Sequence, residues 1–147
     1  MEKSKVYFTK EITPENLIKI YEVFGKELKG KVAVKLSTGE AGGHYFLNPN
    51  LIKDLVSKVN GTIVECNTAY EGKRNTTEEH WKTIKDHGFM DIAKVDIMDE
   101  EGDMSLPVEN GFHLKENFVG AHLKNYNSML VLSHFKGHAM GGFGGSS

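Results

Sequence analysis

An α/β fold, with a mostly parallel and in part mixed sheet and helices on both faces in Rossmann-like layering, follows from three features of the sequence. Short β-branched runs recur, helix-length amphipathic segments separate them, and turn residues sit at the junctions. Val6-Tyr7-Phe8-Thr9 reads as a first strand. Thr13-Pro14-Glu15 opens a helix, with Thr13 as N-cap, Pro14 at the first helical position and an acid in the first turn. Leu17, Ile20, Tyr21 and Phe24 follow at helical spacing, and Gly25 or Gly30 ends the element. Val32 to Leu36 is the second strand. Asn48-Pro49 begins a second helix whose apolar face is Leu51, Ile52, Leu55, Val56 and Val59. Thr62 to Glu65 is strand three. Thr76-Thr77-Glu78-Glu79 starts a third helix that carries His80, Trp81 and Ile84 and stops at Gly88. A fourth strand is expected within Ile92 to Ile97, and an extended excursion or small hairpin over residues 99–118, where Gly102, Pro107 and Gly111 break the chain. A short helix near Val119–Tyr126 leads into Ser128 to Ser133, which reads as the most deeply buried strand.

The 147 residues bear eighteen Lys and Arg against twenty Asp and Glu, a net charge of −2. A chain of this length buries about 68–70% of its unfolded surface, enough for one domain, 1–147, without metal or disulfide staples. No large positive field draws in a nucleic-acid backbone. Cys66 is the single cysteine, which excludes an internal disulfide, a four-cysteine zinc knuckle and a self-contained iron–sulfur cluster. The longest apolar run, Met129 to Leu132, falls far short of the ~20 residues of a membrane span. No secretory h-region follows Met1. The expectation is a cytoplasmic domain with no membrane partner.

In an open parallel sheet, ligands bind beyond the carboxyl ends of the strands. Four stretches converge on that edge: Lys35 to Glu40 with Gly42-Gly43-His44, Glu65 to Tyr70 with Arg74, the acidic run Asp96 to Glu101, and Ser133 to His138. Lys35 and Arg74 are candidate clamps for a small anionic ligand. Glu40 and Glu65 are acids, metal ligands or simply partners of those bases. His134 and His138 stand four apart, a spacing that places two imidazoles on one helix face in zinc sites, but Gly137 and the preceding strand weigh against a helix there. Two readings stay open for them, loop histidines bonded to backbone or a pair for acid/base work or a divalent metal. Lys136 is a phosphate or carboxylate partner, a general base if desolvated, or plain surface. Gly141-Gly142-Phe143-Gly144-Gly145 fails the Walker pattern because Phe143 stands where Lys is required, which leaves an anion-binding nest or a flexible loop. Cys66 reads as packing rather than nucleophile, and the acidic run as a solvated turn.

Together, Lys35-Leu36-Ser37-Thr38-Gly39-Glu40, Asn67-Thr68-Ala69-Tyr70 with Gly72 and Arg74, His80, His87-Gly88-Phe89, and Ser133 to His138 with the Gly141–Gly145 block resemble the domain of unknown function 362 over residues 5–145. The resemblance implies an iron–sulfur-associated family, many of whose members carry a ferredoxin-like double-cluster module further along the chain. A ferredoxin-like domain or protein is therefore an expected partner, while this chain lacks the cluster-ligating cysteines. It also implies that family members continue past the glycine block, so the chain reads as cut short, with residues 137–147 mobile. Where the family more often has asparagine, this chain has His44. A more distant likeness to the glycine-rich segment of nickel-pincer racemases suggests a carboxylate-type substrate or an organometallic cofactor.

The expected site thus comprises His134, Lys136 and His138 as catalytic groups, with His134 and His138 as metal candidates. Lys35, Glu40, Asn67, Tyr70, Arg74, Gly141, Gly142, Gly144 and Gly145 are the expected ligand-binding residues. The competing expectation is a non-catalytic electron-transfer or maturation module, or an inactive fragment of a larger ferredoxin-linked protein.

Overall fold

The computed structural model describes residues 3–145. A four-stranded parallel sheet forms from β1 (Val32–Lys35), β2 (Gly61–Glu65), β3 (Val95–Ile97) and, at the far edge, Ser128–Val131, in the order β3-β2-β1 followed by that last strand. Register places Val34 between Ile63 and Leu130, and Lys35 between Val64 and Val131. The helices are α1 (Pro14–Phe24), α2 (Pro49–Lys58) and α3 (Thr77–Asp86). Two of their starts carry the caps that the sequence prescribes: Thr13 Oγ1 accepts from the Asn16 N–H at 3.2 Å, and Asn48 Oδ1 from the Asn50 N–H at 2.9 Å. Gly25 closes α1 at φ 66°, a left-handed conformation that glycine adopts without strain.

Because β1-α2-β2 and β2-α3-β3 step in the same direction across the sheet, their helices share a face. Ile52 and Val56 of α2 and Ile84 of α3 pack there with Val32, Val34, Ile63 and Ile97 into the larger core cluster, which Leu17 of α1 joins. The alternate residues Ala33 and Val64 point the other way, into a smaller cluster with Met98, Cys66, Leu123 and Tyr126. That face is covered by the long connection out of β3. It runs through an antiparallel hairpin, β4 (Asp103–Pro107) and β5 (Glu116–Gly120), then a 3-10 turn at Ala121–Asn125, and delivers β6 (Ser128–Val131) beside β1. A second hairpin, β7 (Lys136–His138) with β8 (Gly142–Gly144), follows. Among the described residues no helix is long and apolar enough to cross a membrane.

Three elements differ from the sequence expectation. Val6 to Thr9 forms no strand: it joins neither open edge of the sheet, β3 or β6, and Val6 and Phe8 lie open to solvent. The β6 strand is an edge rather than the most buried strand: Leu130 packs inward while Met129 and Val131 are exposed. The fourth strand starts at Val95, since a 3-10 turn at Phe89–Asp91 occupies the chain just before Ile92.

Candidate functional site

The connection from β1 leads towards β2, and β6 arrives on β1's other side, so the strand order reverses between β1 and β6. Loops that leave such a pair part company and open a crevice at the carboxyl edge. A cleft of about 220 Å³ lies there. Lys35, Ser37, Gly39, Glu40, Tyr45 and Phe46 line it from the β1 side, Ser133, His134, Lys136 and Gly145 from the β6 side, and Arg74 joins them.

Behind the cleft sits a buried polar network. Glu65, the last residue of β2, is 7% exposed at its side chain, and so is Arg74. Glu65 Oε2 accepts from the Thr38 N–H at 3.0 Å, the Thr38 hydroxyl at 2.6 Å and His80 Nε2 at 3.2 Å, while Oε1 accepts from Arg74 Nη1 at 2.6 Å. Burial alone pushes the Glu65 carboxyl up. The hydrogen bonds from His80 and Thr38 and the Arg74 charge outweigh it and hold the group below the ordinary glutamate value. Arg74 Nη1 also reaches Ser37 Oγ at 3.3 Å, and Nη2 pairs with Glu40. Burial works against the Arg74 cation, yet the Glu40 hydrogen bond and the two carboxylate charges raise its pKa further. Arg74 Nε is buried with no hydrogen-bond partner among the described residues. A buried donor left so is destabilising by about 1–3 kcal/mol.

The loop after β1 is held from outside the network as well. His87 Nδ1 donates to the Thr38 carbonyl at 2.7 Å, and its ring stacks on Phe46 with centroids 4.2 Å apart. Gly39 has φ 86°, and a Cβ there would lie 2.7 Å from the Phe46 ring, so this turn admits only glycine against that aromatic.

The sequence-expected residues divide accordingly. Lys35, Glu40, Arg74, His134, Lys136 and Gly145 come together at the cleft. Asn67 does not line it but belongs to the network behind: its Oδ1 faces His80 Nδ1 at 3.0 Å, its amide donates to Thr77 at 3.0 Å, and its N–H donates to Asp99 at 2.9 Å. Tyr70 is exposed and stands outside the cleft lining, as do His138, Gly141, Gly142 and Gly144. His138 Nδ1 instead accepts from the Met140 and Gly141 N–H groups at 3.2 and 3.0 Å, closing the β7–β8 turn. The Gly141 N–H of an anion nest is therefore already committed, and His138 stands apart from the cleft that His134 lines.

Sequence reasoning placed His80 on the third helix and His87 before its end without giving either a function. Glu65 and His80 stand fifteen positions apart, and only the β2–α3 packing joins them. The acidic run is not a wholly solvated turn: half-buried Asp96 accepts from His122 Nδ1 at 2.7 Å and the Tyr126 hydroxyl at 2.6 Å, on the smaller cluster's side. Asp96, Glu100 and His122 offer ligand atoms within 4.8 Å of one another, but these groups already satisfy each other or neighbours, Glu100 accepting from Trp81 Nε1 at 2.8 Å. The Asp96 hydrogen bond, opposed by burial and helped by Glu101, raises the His122 pKa. Cys66 is half-buried; burial, then the Asp99 charge, pushes its thiol up to about 11, so it carries little thiolate near neutral pH. One thiol does not supply the ligand set of an iron–sulfur cluster.

A family model described as Domain of unknown function (DUF362) matches residues 32–147. The cleft, the buried network and both cleft walls fall inside that span. No curated protein and no solved structure matches the chain.

Proposed function

We propose that this chain, which belongs to the DUF362 family, binds a small anionic ligand in the cleft between β1 and β6. The observation that carries the reading is the balance of charge around the cleft. Arg74 is matched by Glu65 and Glu40, whereas Lys35 and Lys136 pair with no carboxylate among the described residues. Arg74 with its two glutamates carries a net charge of −1, so Lys35 and Lys136 leave the crevice with a net positive charge, and low-dielectric walls focus that field. Ser37, Ser133 and His134 add donors that orient an oxyanion, and Tyr45 and Phe46 supply an apolar wall. A cleft this small suits a metabolite-sized ligand rather than a polymer. Within it His134 and Lys136 are the groups placed for proton transfer to a bound ligand.

Calorimetric titration with succinate and with inorganic phosphate tests the reading. Saturable binding at low ionic strength is expected, weakened about tenfold by Lys136→Ala and by Lys35→Ala, as the loss of one charge-assisted contact implies. Binding that neither substitution changes, or no binding of either anion, overturns it.

A further inference from the structure

Resting on the reading of the cleft as an anion site, and sharpening it, we propose that its ligand is a small dicarboxylate, one of whose carboxylates takes the Nε/Nη2 edge of Arg74 by displacing Glu40. A guanidinium offers Nε–H and one terminal nitrogen in parallel, a fork that matches both oxygens of a carboxylate. In Arg74 the other edge is already used, because Nη1 donates to Glu65 and Ser37. Glu40 engages the fork through Oε1 on Nη2 alone, and Nε stays buried without a partner among the described residues. The edge is half used, and by a carboxylate.

The two glutamates on Arg74 are not equivalent. Glu65 is buried and held by Thr38 and His80 as well, so its departure would strand buried charge. Glu40 has a side chain 55% exposed, and Arg74 is its one side-chain partner among the described residues. It also sits in a turn with Gly39 and Gly42 at positive φ. Glu40 can swing into water with its charge solvated, and a ligand carboxylate arriving in its place keeps Arg74 neutralised while adding the Nε hydrogen bond. Lys35 and Lys136 remain uncompensated after that exchange and are matched by the second carboxylate.

The experiment titrates malonate, succinate and glutarate into the wild type, Glu40→Gln and Arg74→Lys by calorimetry, with acetate and inorganic phosphate as references. The Arg74 Nε–H resonance is followed by NMR on the unmodified protein. Glu40→Gln removes the competing carboxylate and is expected to tighten the best dicarboxylate about tenfold, while Arg74→Lys loses the fork and weakens it at least tenfold. The Nε–H resonance is expected to move on saturation, a readout that stands even if Arg74→Lys does not fold. Affinity that Glu40→Gln leaves unchanged or weakens, or an Nε–H resonance that stays in place, overturns the displacement. Phosphate tightened as much as the dicarboxylate overturns the carboxylate assignment. Dicarboxylate binding that depends on Lys136 but not on Glu40 leaves the cleft an anion site and rejects only this inference. No binding by any variant rejects both.

Discussion

The two sides of the cleft are built on opposite principles. On the β1–β2 side, Thr38, Glu65, Arg74 and His80 are buried, and each of their side-chain polar atoms but Arg74 Nε has a partner. On the β6 side, Ser133, His134, Phe135, Lys136 and His138 are all exposed, and among the described residues none after Leu132 joins either core cluster. That arm is held by two three-residue strands and by the stack of Phe135 on Phe143, 5.6 Å between centroids. Buried charge is tolerated only in fixed geometry, so the first side arrives preorganised. Exposed cations on a short hairpin tolerate movement with little loss. A ligand would meet a rigid guanidinium fork on one side and an adjustable pair of side chains on the other.

The largest effect that separates the two sides is on stability. Glu65→Gln keeps the size of the side chain but leaves Arg74 short of a buried countercharge, and is expected to destabilise by about 3–5 kcal/mol. His134→Ala removes an exposed side chain and is expected to change stability by less than about 0.5 kcal/mol. Urea denaturation of the two variants measures both, and comparable losses would break the comparison. The same carboxyl predicts an acid limb. Its folded pKa lies below the ordinary value of 4.5, so its contribution is fully present above that value and drains away as pH falls through the depressed folded pKa. Glu65→Gln should flatten that limb.

Much of the scaffold was legible from local signals. Thr13-Pro14 and Asn48-Pro49 mark helix starts by the chemistry of one turn, and Val32-Ala33-Val34 and Ile63-Val64 are unbroken apolar stretches rather than alternating ones, as strands covered on both faces must be. The gathering of Lys35, Glu40, Arg74, His134 and Lys136 at one edge also follows from strand polarity alone. Val6 to Thr9 misled because propensity says nothing about whether a β-branched segment packs against a sheet at all, and this one leaves Val6 and Phe8 in solvent. Ser128 to Ser133 misled because an apolar run at an edge looks like one at the centre. The Glu65 network was half legible: pairing of Glu40 and Glu65 with the bases was among the readings, but burial, and the roles of Thr38 and His80, depend on contacts between distant segments. For His138 both readings stay open in the sequence, because a histidine that closes a turn looks the same there as one that binds a ligand, and the backbone contacts of its Nδ1 match the first.

A smaller effect comes from the thin face of the sheet, where Asp96 holds His122 and Tyr126. The folded pKa of His122 lies above its ordinary 6.5, so its contribution is fully present below 6.5 and is lost as pH rises through the folded value. The wild type is therefore expected to lose stability through this pair as pH rises above 6.5, independently of the acid limb set by Glu65. Asp96→Asn should lower stability at pH 6 by about 1.5–3 kcal/mol, the range for a hydrogen bond to a charged group, and by less at pH 9. Thermal unfolding across that range measures it. A loss as large at pH 9 as at pH 6 would show that the pair contributes packing rather than charge.

The smallest effect is the most direct on the comparison itself. Residues 137–147 are expected from their glycine content to move, and the structure pairs Lys136–His138 with Gly142–Gly144 at the surface; Ser146 and Ser147 lie outside the described residues. A hairpin of three pairs, without buried apolar side chains, opens at little free energy, whereas β1 and β2 open only with the whole core. Amide exchange should therefore be fast across Gly141–Gly145 and slow from Val32 to Lys35 and Ile63 to Glu65. If the cleft ligand is gripped from both sides, saturating it at ten times its Kd should slow exchange in the hairpin by up to about tenfold, because only the closed hairpin completes the site. Exchange in β1 should hardly change, its floor being set before the ligand arrives. Strong protection of Gly141–Gly145 in the free protein would remove the adjustable side. Ligand-induced protection confined to β1 and β2 would assign the grip to Arg74 alone, with Lys136 a bystander.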